Sequence, residues 1–350
     1  MQALVLRDIG RFDLIEIDDP VPGPGEMRIA VLRSGVCGSE LGGFLGTDGL
    51  RGPGLAFGHE FIGVVESYGP SVTAQDQLPA GTLVTANPLQ SCGNCPICRS
   101  GHANVCPDRR LLGGHIQGSN ADFVVVPLSA VYRLDGLAEP EACVFAEPTA
   151  CALRAVGRLK LRPGNSVLVI GAGPIGLLVL EVLRRDGVAD LYFTERVAGR
   201  AAAAERSGAM RLSDDPAELV RHVRRVTGGL GVDAVVDAVG STDTRIAATS
   251  LVRPGGEVCF VGLHSADGTL PIRHLIRQEI TCYTSFAYSD TEFGAAVELL
   301  GRGEINFRGE VVRAGLADGQ YWYQELIKGH PVTKVLLEPP NGGTNHDQAA

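Results

Sequence analysis

A regular alternation of apolar strand-like runs and helical segments constrains the fold of this chain most strongly. The strands are predicted at 165–171, 190–195, 232–240, 256–262 and 279–285, and the helices at 174–187, closed by Gly187, and 198–209. Strands that alternate with helices build a parallel sheet covered by helices on both faces. The sequence therefore predicts an α/β fold with a doubly wound parallel sheet.

The chain before about residue 147 has a different texture, rich in glycine and proline. Short β-like runs are predicted there at 27–36, 61–69, 82–88 and 121–127. Mixed texture returns after residue 286 and ends in a strand-like run at 333–338, and the tail 339–350 is predicted to be disordered. These changes in texture predict a second domain beside the α/β one.

A glycine-rich motif stands between the first predicted strand and the first predicted helix. It has the pattern G-x-G-x-x-G and consists of Gly171, Ala172, Gly173, Pro174, Ile175 and Gly176. In this context the glycines permit a tight turn, close approach of a pyrophosphate and packing of the helix on the strand. The pattern predicts a dinucleotide site, although an ordinary strand-to-helix turn has the same spacing.

The next predicted strand ends in Glu195, about where a dinucleotide site places the acidic residue that binds the adenosine ribose. A carboxylate there favours NAD, because it repels a 2′-phosphate. Arg196 and Arg200 follow closely, and either could pair with such a phosphate. NAD is the predicted cofactor, and NADP remains open.

Four cysteines lie close together at Cys92, Cys95, Cys98 and Cys106. Four thiolates on one short loop can close a tetrahedral shell around Zn²⁺ and leave no open position, which predicts a structural metal. Two disulfides or a [4Fe–4S] cluster are the alternatives.

Net charge, apolar runs and cysteine content predict which binding partners and which cellular location suit the protein. The formal net charge of −9 argues against nucleic-acid binding. No run approaches the roughly 20 apolar residues of a membrane span, and the N-terminus lacks the pattern of a signal peptide. With nine cysteines, the chain is predicted to be a cytoplasmic protein in a reducing compartment, with no membrane partner.

Cys37, His59 and Glu60 are all competent zinc ligands, although a single cysteine or histidine is more often a core residue. The order of C-G-S at Cys37, G-H-E-x-x-G at His59, the four-cysteine loop and G-x-G-x-x-G resembles the zinc-dependent medium-chain dehydrogenase/reductase family. Glu147-Pro148 is similar to the polyol branch of that family, which includes sorbitol, threonine, galactitol-phosphate and cyclitol dehydrogenases.

The resemblance implies a GroES-like, partly open β-barrel catalytic domain over 1–147 and 286–350 and a Rossmann domain over 148–285. It also implies two Zn²⁺ per chain and assembly as a homodimer or homotetramer. Cys37, His59, Glu60 and Glu147 are the implied ligands of a catalytic zinc, with Cys143 and Cys151 as less favoured alternatives to Glu147. Val239, Gly262 and Phe286 are the further cofactor-binding residues that it implies.

The resemblance implies hydride transfer between NAD(P) and a secondary alcohol or ketone of the polyol, cyclitol or aminocyclitol type. Ser39 is expected to begin a proton relay, and because Gly42 stands where many relatives have a histidine, the proton is expected to leave through water. Phe44, Arg51, His115 and Gln117 are candidates for the substrate pocket. An NADPH-preferring carbonyl reductase and a catalytically silent nucleotide-binding member are the alternatives.

Overall fold

The computed structural model describes residues 1–340, and they form two compact units. The first unit comprises Met1–Glu147, Ser289–Gly303 and the described residues from Val311 onward. The second comprises Pro148–Tyr288 and Glu304–Glu310. Most of the tail that was predicted to be disordered, residues 341–350, lies outside the described residues.

The first unit is built on a mainly antiparallel sheet in the order β16-β17-β3-β4-β5-β9, with β8 also paired to β3. The β1-β2 and β6-β7 pairs form two small separate sheets. The strands of the unit are β1 (Gln2–Asp8), β2 (Arg11–Glu16), β3 (Glu26–Gly35), β4 (Glu60–Tyr68), β5 (Leu83–Ala86), β6 (Leu89–Gln90), β7 (Arg110–Leu111), β8 (Phe123–Pro127), β9 (Val131–Arg133), β16 (Val311–Gly315) and β17 (Lys334–Glu338). Its helices are α1 (Gly38–Phe44), α2 (Pro96–Arg99), α9 (Asp290–Gly301) and α10 (Gly319–Ile327).

Strand β3 shows why this part of the chain forms a sheet. Met27, Ile29 and Val31 alternate along it and are fully buried, because successive side chains of a strand point to opposite faces. They share a core with residues such as Phe61 and Val84 on the neighbouring strands. The four strands predicted before residue 130 and the one at 333–338 are confirmed by β3, β4, β5, β8 and β17.

The second unit contains a six-stranded, all-parallel sheet in the order β12-β11-β10-β13-β14-β15. Its strands are β10 (Ser166–Ile170), β11 (Asp190–Thr194), β12 (Met210–Arg211), β13 (Val232–Asp237), β14 (Val252–Phe260) and β15 (Thr281–Thr284). Its helices are α3 (Ala146–Arg158, which begins in the first unit), α4 (Pro174–Arg185), α5 (Ala198–Glu205), α6 (Pro216–Val226), α7 (Thr242–Leu251) and α8 (Ile272–Gln278). The strand order reverses between β10 and β13, which is the doubly wound arrangement of a dinucleotide fold.

Among the helices of this unit, only α4 and α5 were predicted from the sequence, and α3, α6, α7, α8 and the short strand β12 were missed. Helix α6 was not predicted, although Asp215 caps it, Pro216 starts it and Leu219 and Val223 are its buried face. Strand β14 begins at Val252, four residues before the predicted start, because it runs on through a Pro-Gly-Gly sequence that is typical of a turn.

Within residues 1–340, none of the helices combines the length and the apolarity that crossing a lipid bilayer requires.

Candidate active site and metal centres

Two strand ends of the first unit meet at one place, beside the middle of a third strand. Gly35 at the end of β3 pairs with Glu60 at the start of β4 and with Leu336 on β17. A side chain at position 35 would come within 2.7 Å of the Glu60 carboxylate and 3.2 Å of the Lys334 side chain, so glycine makes room for both. The chain turns from β3 into α1 at Cys37, which is the residue that caps this helix.

Cys37, His59 and Glu60 come together at these strand ends, with ligand atoms that all lie within 4.8 Å of one another. His59 is 3% exposed and Glu60 is 1% exposed. Among residues 1–340, Glu60 Oε1 finds no hydrogen-bond partner, although a buried carboxylate oxygen normally has one. A thiolate, an imidazole and a carboxylate oxygen without a partner fit Zn²⁺, which accepts all three donor types.

The carboxylate of Glu40 lies against the imidazole of His59. Its Oε1 lies 2.8 Å from His59 Nδ1 and accepts the N–H of Gly58 at 2.9 Å, and it is fully buried. Burial would raise the pKa of Glu40, but the charge of His59 and the hydrogen bonds around the carboxylate outweigh burial and lower this pKa to about 2. An ionised carboxylate on Nδ1 leaves Nε2 of His59 free to bind a metal.

Lys334 forms a buried ion pair with Glu60, and each side chain is 1% exposed. Burial lowers the pKa of Lys334, but the negative charges of Glu60, Cys37 and Glu147 outweigh burial and raise it. The ammonium group therefore stays charged and balances the anionic side chains around the centre.

Glu147 lies in the first turn of α3, and its charge acts on Lys334, but it does not join the group formed by Cys37, His59 and Glu60. Cys143 is buried, and its thiol donates to the carbonyl of Val297 at 3.6 Å. Within residues 1–340, neither Cys143 nor Cys151 belongs to a metal-competent group.

The four cysteines of the loop form the second metal-competent group within residues 1–340. The Sγ atoms of Cys92 and Cys106 are 3.5 Å apart, as are those of Cys95 and Cys98, and the Cys92–Cys98 and Cys95–Cys106 pairs are each 3.9 Å apart. A tetrahedron with Zn–S bonds of about 2.3 Å has edges of about 3.8 Å. The four cysteines are free, so the two-disulfide alternative finds no support here, and their spacing fits a closed tetrahedral zinc site.

The glycine-rich loop of the second unit has the geometry that its sequence predicts. Gly171 has a φ of +89°, and a side chain on Gly176 would come within 1.9 Å of the Gly171 carbonyl oxygen. Gly173 caps α4 and Pro174 is its first residue, with open space where a Gly173 side chain would lie. The loop therefore brings the backbone close to any anion at the start of α4.

Val239 and Gly262 lie beside this loop. A Cβ atom on Gly171 would come within 2.5 Å of the Val239 side chain, and one on Gly262 would come within 2.1 Å of the Val239 backbone. The ends of β10, β13 and β14 thus meet at the point where the strand order reverses, which is where open α/β sheets bind ligands. Phe286 follows β15 and is 43% exposed.

Glu195 stands directly after β11, and its carboxylate accepts the N–H of Ala172 and the N–H of Val197, each at 2.8 Å. Arg196 is exposed and Arg200 is half-buried. Arg211, which the sequence reasoning missed, donates to the carbonyl of Glu195 at 2.7 Å and adds a third guanidinium to this end of the sheet.

Comparison with known proteins identifies the family of this chain. The Alcohol dehydrogenase GroES-like domain family matches residues 23–136, and the Zinc-binding dehydrogenase family matches residues 174–302. The alcohol dehydrogenase from Thermus sp. ATN1 has a similar structure, with a TM-score of 0.87, 30% identity, and coverage of 97% of this chain and 100% of that one. This chain belongs to the zinc-dependent medium-chain dehydrogenase family.

The relatives of this dehydrogenase include enzymes named for polyols and sugar acids. It is 29% identical to the L-galactonate-5-dehydrogenase of Escherichia coli strain K12 over 82% of this chain and 83% of that protein. It is 28% identical to the sorbitol dehydrogenase of Halalkalibacterium halodurans over 97% of this chain and 99% of that protein. The predicted family, its polyol branch and the α/β fold with GroES-like and Rossmann domains are confirmed.

Several pocket candidates of this dehydrogenase have structural roles instead. Phe44 is 2% exposed and packs in the core of the first unit. The Arg51 side chain is also 2% exposed, and its guanidinium bonds Asp48, the carbonyl of Ser39 and the carbonyl of Gly113. Both residues were proposed because the loop 42–54 was expected to form a wall of the substrate pocket, whereas these two long side chains point into the protein.

The other candidates lie at the surface. His115 is exposed and accepts the N–H of Leu111, and Gln117 bonds the backbone of Gly54 and Ala56. Ser39 is exposed too, and its hydroxyl donates to Cys37 Sγ at 3.4 Å. Of these residues, Ser39 is therefore the one placed beside a candidate metal ligand.

Proposed function

We propose that this dehydrogenase transfers hydride between a nicotinamide cofactor and a secondary alcohol of the polyol, sugar-acid or cyclitol type. The observation that carries the proposal is the group of half-buried Cys37 with buried His59 and Glu60, in which one carboxylate oxygen lacks a hydrogen-bond partner. The names of the L-galactonate and sorbitol dehydrogenases among its relatives support the polyol type of substrate.

The proposed catalytic zinc is held by Cys37, His59 and Glu60, and the resemblance adds Glu147 as a further ligand. The proposed structural zinc is held by Cys92, Cys95, Cys98 and Cys106, which makes two ions per chain. When bound, a catalytic zinc supplies Lewis acidity toward an alcohol or carbonyl oxygen, and the nicotinamide accepts or gives the hydride.

The protein's own groups orient the site and move the proton. Glu40 fixes the ring of His59, and Lys334 balances the charge of Glu60. The hydroxyl of Ser39 can accept a proton from the reacting alcohol and pass another one to water. No side chain at Gly42 continues this path, so the proposed exit is through solvent.

The proposed cofactor is NAD, bound in the second unit by Gly171, Gly173, Pro174, Ile175 and Gly176. Glu195 supports NAD over NADP, because its carboxylate is suited to a ribose diol. Arg196, Arg200 and Arg211 favour NADP, which therefore stays the alternative cofactor.

We further propose a homodimer or homotetramer in a reducing, cytoplasmic setting. Strand β15 is the edge strand of its sheet. Ile272 and Ile276 on α8, the helix directly before β15, are 57% and 71% exposed. An unpaired edge strand beside exposed apolar side chains supports self-association at this edge. Light scattering of the purified protein measures this directly, and a monomer at micromolar concentration would contradict it.

The test of the proposed function is a substrate panel read by cofactor absorbance. Sorbitol, sugar acids such as L-galactonate, cyclitols and amino alcohols are each offered with NAD⁺ and with NADP⁺. We expect oxidation of at least one of them, abolished by Cys37→Ser and retained by Cys282→Ser, which changes an exposed cysteine of the second unit. Absence of turnover together with intact cofactor binding would favour the catalytically silent alternative.

A further inference from the structure

Tyr323 is a fully buried residue of α10, far along the chain from the candidate metal ligands. Its ring packs among the aromatic side chains of the first unit, with ring centroids 4.7 Å from Phe12, 5.7 Å from Phe44 and 6.2 Å from Phe57. This packing fixes the ring, so its hydroxyl occupies one defined position.

The hydroxyl of Tyr323 lies between two polar side chains, and the direction of its hydrogen bonds can be deduced. Ser34 Oγ donates to Asn120 Oδ1 at 2.7 Å, which turns the amide so that Asn120 Nδ2 donates to the Tyr323 hydroxyl at 3.1 Å. The hydroxyl therefore gives its own proton to Glu40 Oε2, at 2.5 Å. Burial and the charge of Glu40 both raise the pKa of Tyr323 well above its ordinary value, so the phenol keeps this proton.

Glu40 is held at both carboxylate oxygens as a result. Oε2 accepts from Tyr323 at 2.5 Å and, more weakly, from the N–H of Cys37 at 3.3 Å. Oε1 faces His59 Nδ1 and accepts the N–H of Gly58. Without the phenol, Oε2 would keep only the longer hydrogen bond from the Cys37 N–H. The carboxylate could then shift, and the orientation of the imidazole would shift with it. Groups that orient a metal-binding histidine in this way typically change metal affinity by 10–100-fold when they are removed.

We propose that Tyr323 is a positioning residue of the metal centre, because its hydroxyl holds Glu40 in the orientation that directs His59 toward the metal. This inference rests on the proposed zinc site at Cys37, His59 and Glu60. It concerns the affinity of that site for metal, and it assigns Tyr323 no contact with substrate or cofactor.

Tyr323→Phe removes the hydroxyl and keeps the packed ring. The purified protein is loaded with Zn²⁺ or with Co²⁺, and metal is withdrawn by a competing chelator. We expect the affinity of the Cys37–His59 centre to fall by about tenfold and its Co²⁺ absorption spectrum to change. The four-cysteine centre serves as an internal reference and should keep its affinity.

Tyr68→Phe is the matched control. The hydroxyl of Tyr68 donates to the carbonyl of Leu78 and accepts its N–H, both at 2.7 Å, so its loss removes two hydrogen bonds within the same unit. If this control weakened metal binding as much as Tyr323→Phe, or if the four-cysteine centre weakened too, the effect would be general destabilisation and the inference would be overturned. An affinity within twofold of the parent in Tyr323→Phe would overturn it as well.

Glu40→Asp tests the same contact by changing Glu40 instead of Tyr323. The shorter aspartate side chain cannot contact Tyr323 and His59 at the same time. We expect a similar loss of affinity, and Tyr323→Phe should add less than a further twofold in this background. A full additional tenfold loss would show that Tyr323 does not act through Glu40. A parent protein that binds metal only at the four cysteines would refute the proposed function itself, a result distinct from all of these.

Discussion

The buried ion pair between Lys334 and Glu60 gives a prediction whose size follows from the structure. Lys334→Met keeps most of the side-chain volume and removes the positive charge, which leaves the Glu60 carboxylate buried without its partner. Breaking a buried pair from one side costs about 3–5 kcal/mol, because the remaining charge is uncompensated. At about 2–4 °C per kcal/mol for a unit of this size, the unfolding midpoint should fall by roughly 6–20 °C.

The assay is calorimetry of the parent and the variant, each after treatment with chelator and again after loading with Zn²⁺. A cation bound at Cys37 and His59 would compensate the charge of Glu60, so the penalty of Lys334→Met should be smaller in the loaded protein. Replacing both partners, as Glu60→Leu with Lys334→Met, should recover most of the loss, since apolar replacements of buried pairs are often neutral. A shift below 3 °C in the metal-free variant, or a double variant no more stable than the single one, would refute this reasoning.

Three further predictions test other parts of the molecule. Cys98→Ser should remove one zinc per chain, as measured by metal analysis, and Cys282→Ser should leave the zinc content unchanged. Ser39→Ala should lower turnover by up to roughly 10²-fold and alter its dependence on pH, and an unchanged rate across pH would exclude the relay. Asp233→Asn should lower the unfolding midpoint by about 2–4 °C at pH 7, because Asp233 pairs with Arg253 and is ionised there. Burial would raise the pKa of Asp233, but hydrogen bonds from Ser166 and Arg253 outweigh burial and hold this pKa below its ordinary value, so the difference should be lost as the pH falls through the folded pKa.

The features that could be predicted from the sequence are those encoded by short local motifs. The glycine-rich loop from Gly171 to Gly176 and the cysteines from Cys92 to Cys106 are each contained in one short segment, so spacing alone indicated their geometry. The parallel sheet followed from the alternation of strands and helices. In each case the residues that must meet are close in the sequence.

The candidate active site depends on contacts between distant segments of the chain, which residue spacing does not encode. Cys37, His59 and Glu60 could be grouped only through the family resemblance. Glu40, Lys334 and Tyr323 were missed altogether, although Glu40 stands three residues after Cys37, where a helix cap commonly receives an acidic partner. Tyr323 and Glu40 are 283 residues apart in the sequence, and only the folded chain brings them into contact.

We propose above all that this dehydrogenase holds a metal ion at Cys37, His59 and Glu60, in addition to one at the four cysteines. Diffraction data from crystals of metal-replete protein, collected on both sides of the zinc absorption edge, test it most directly. We expect two anomalous peaks per chain, one of them between Cys37 and His59. A single peak at the four cysteines would contradict it.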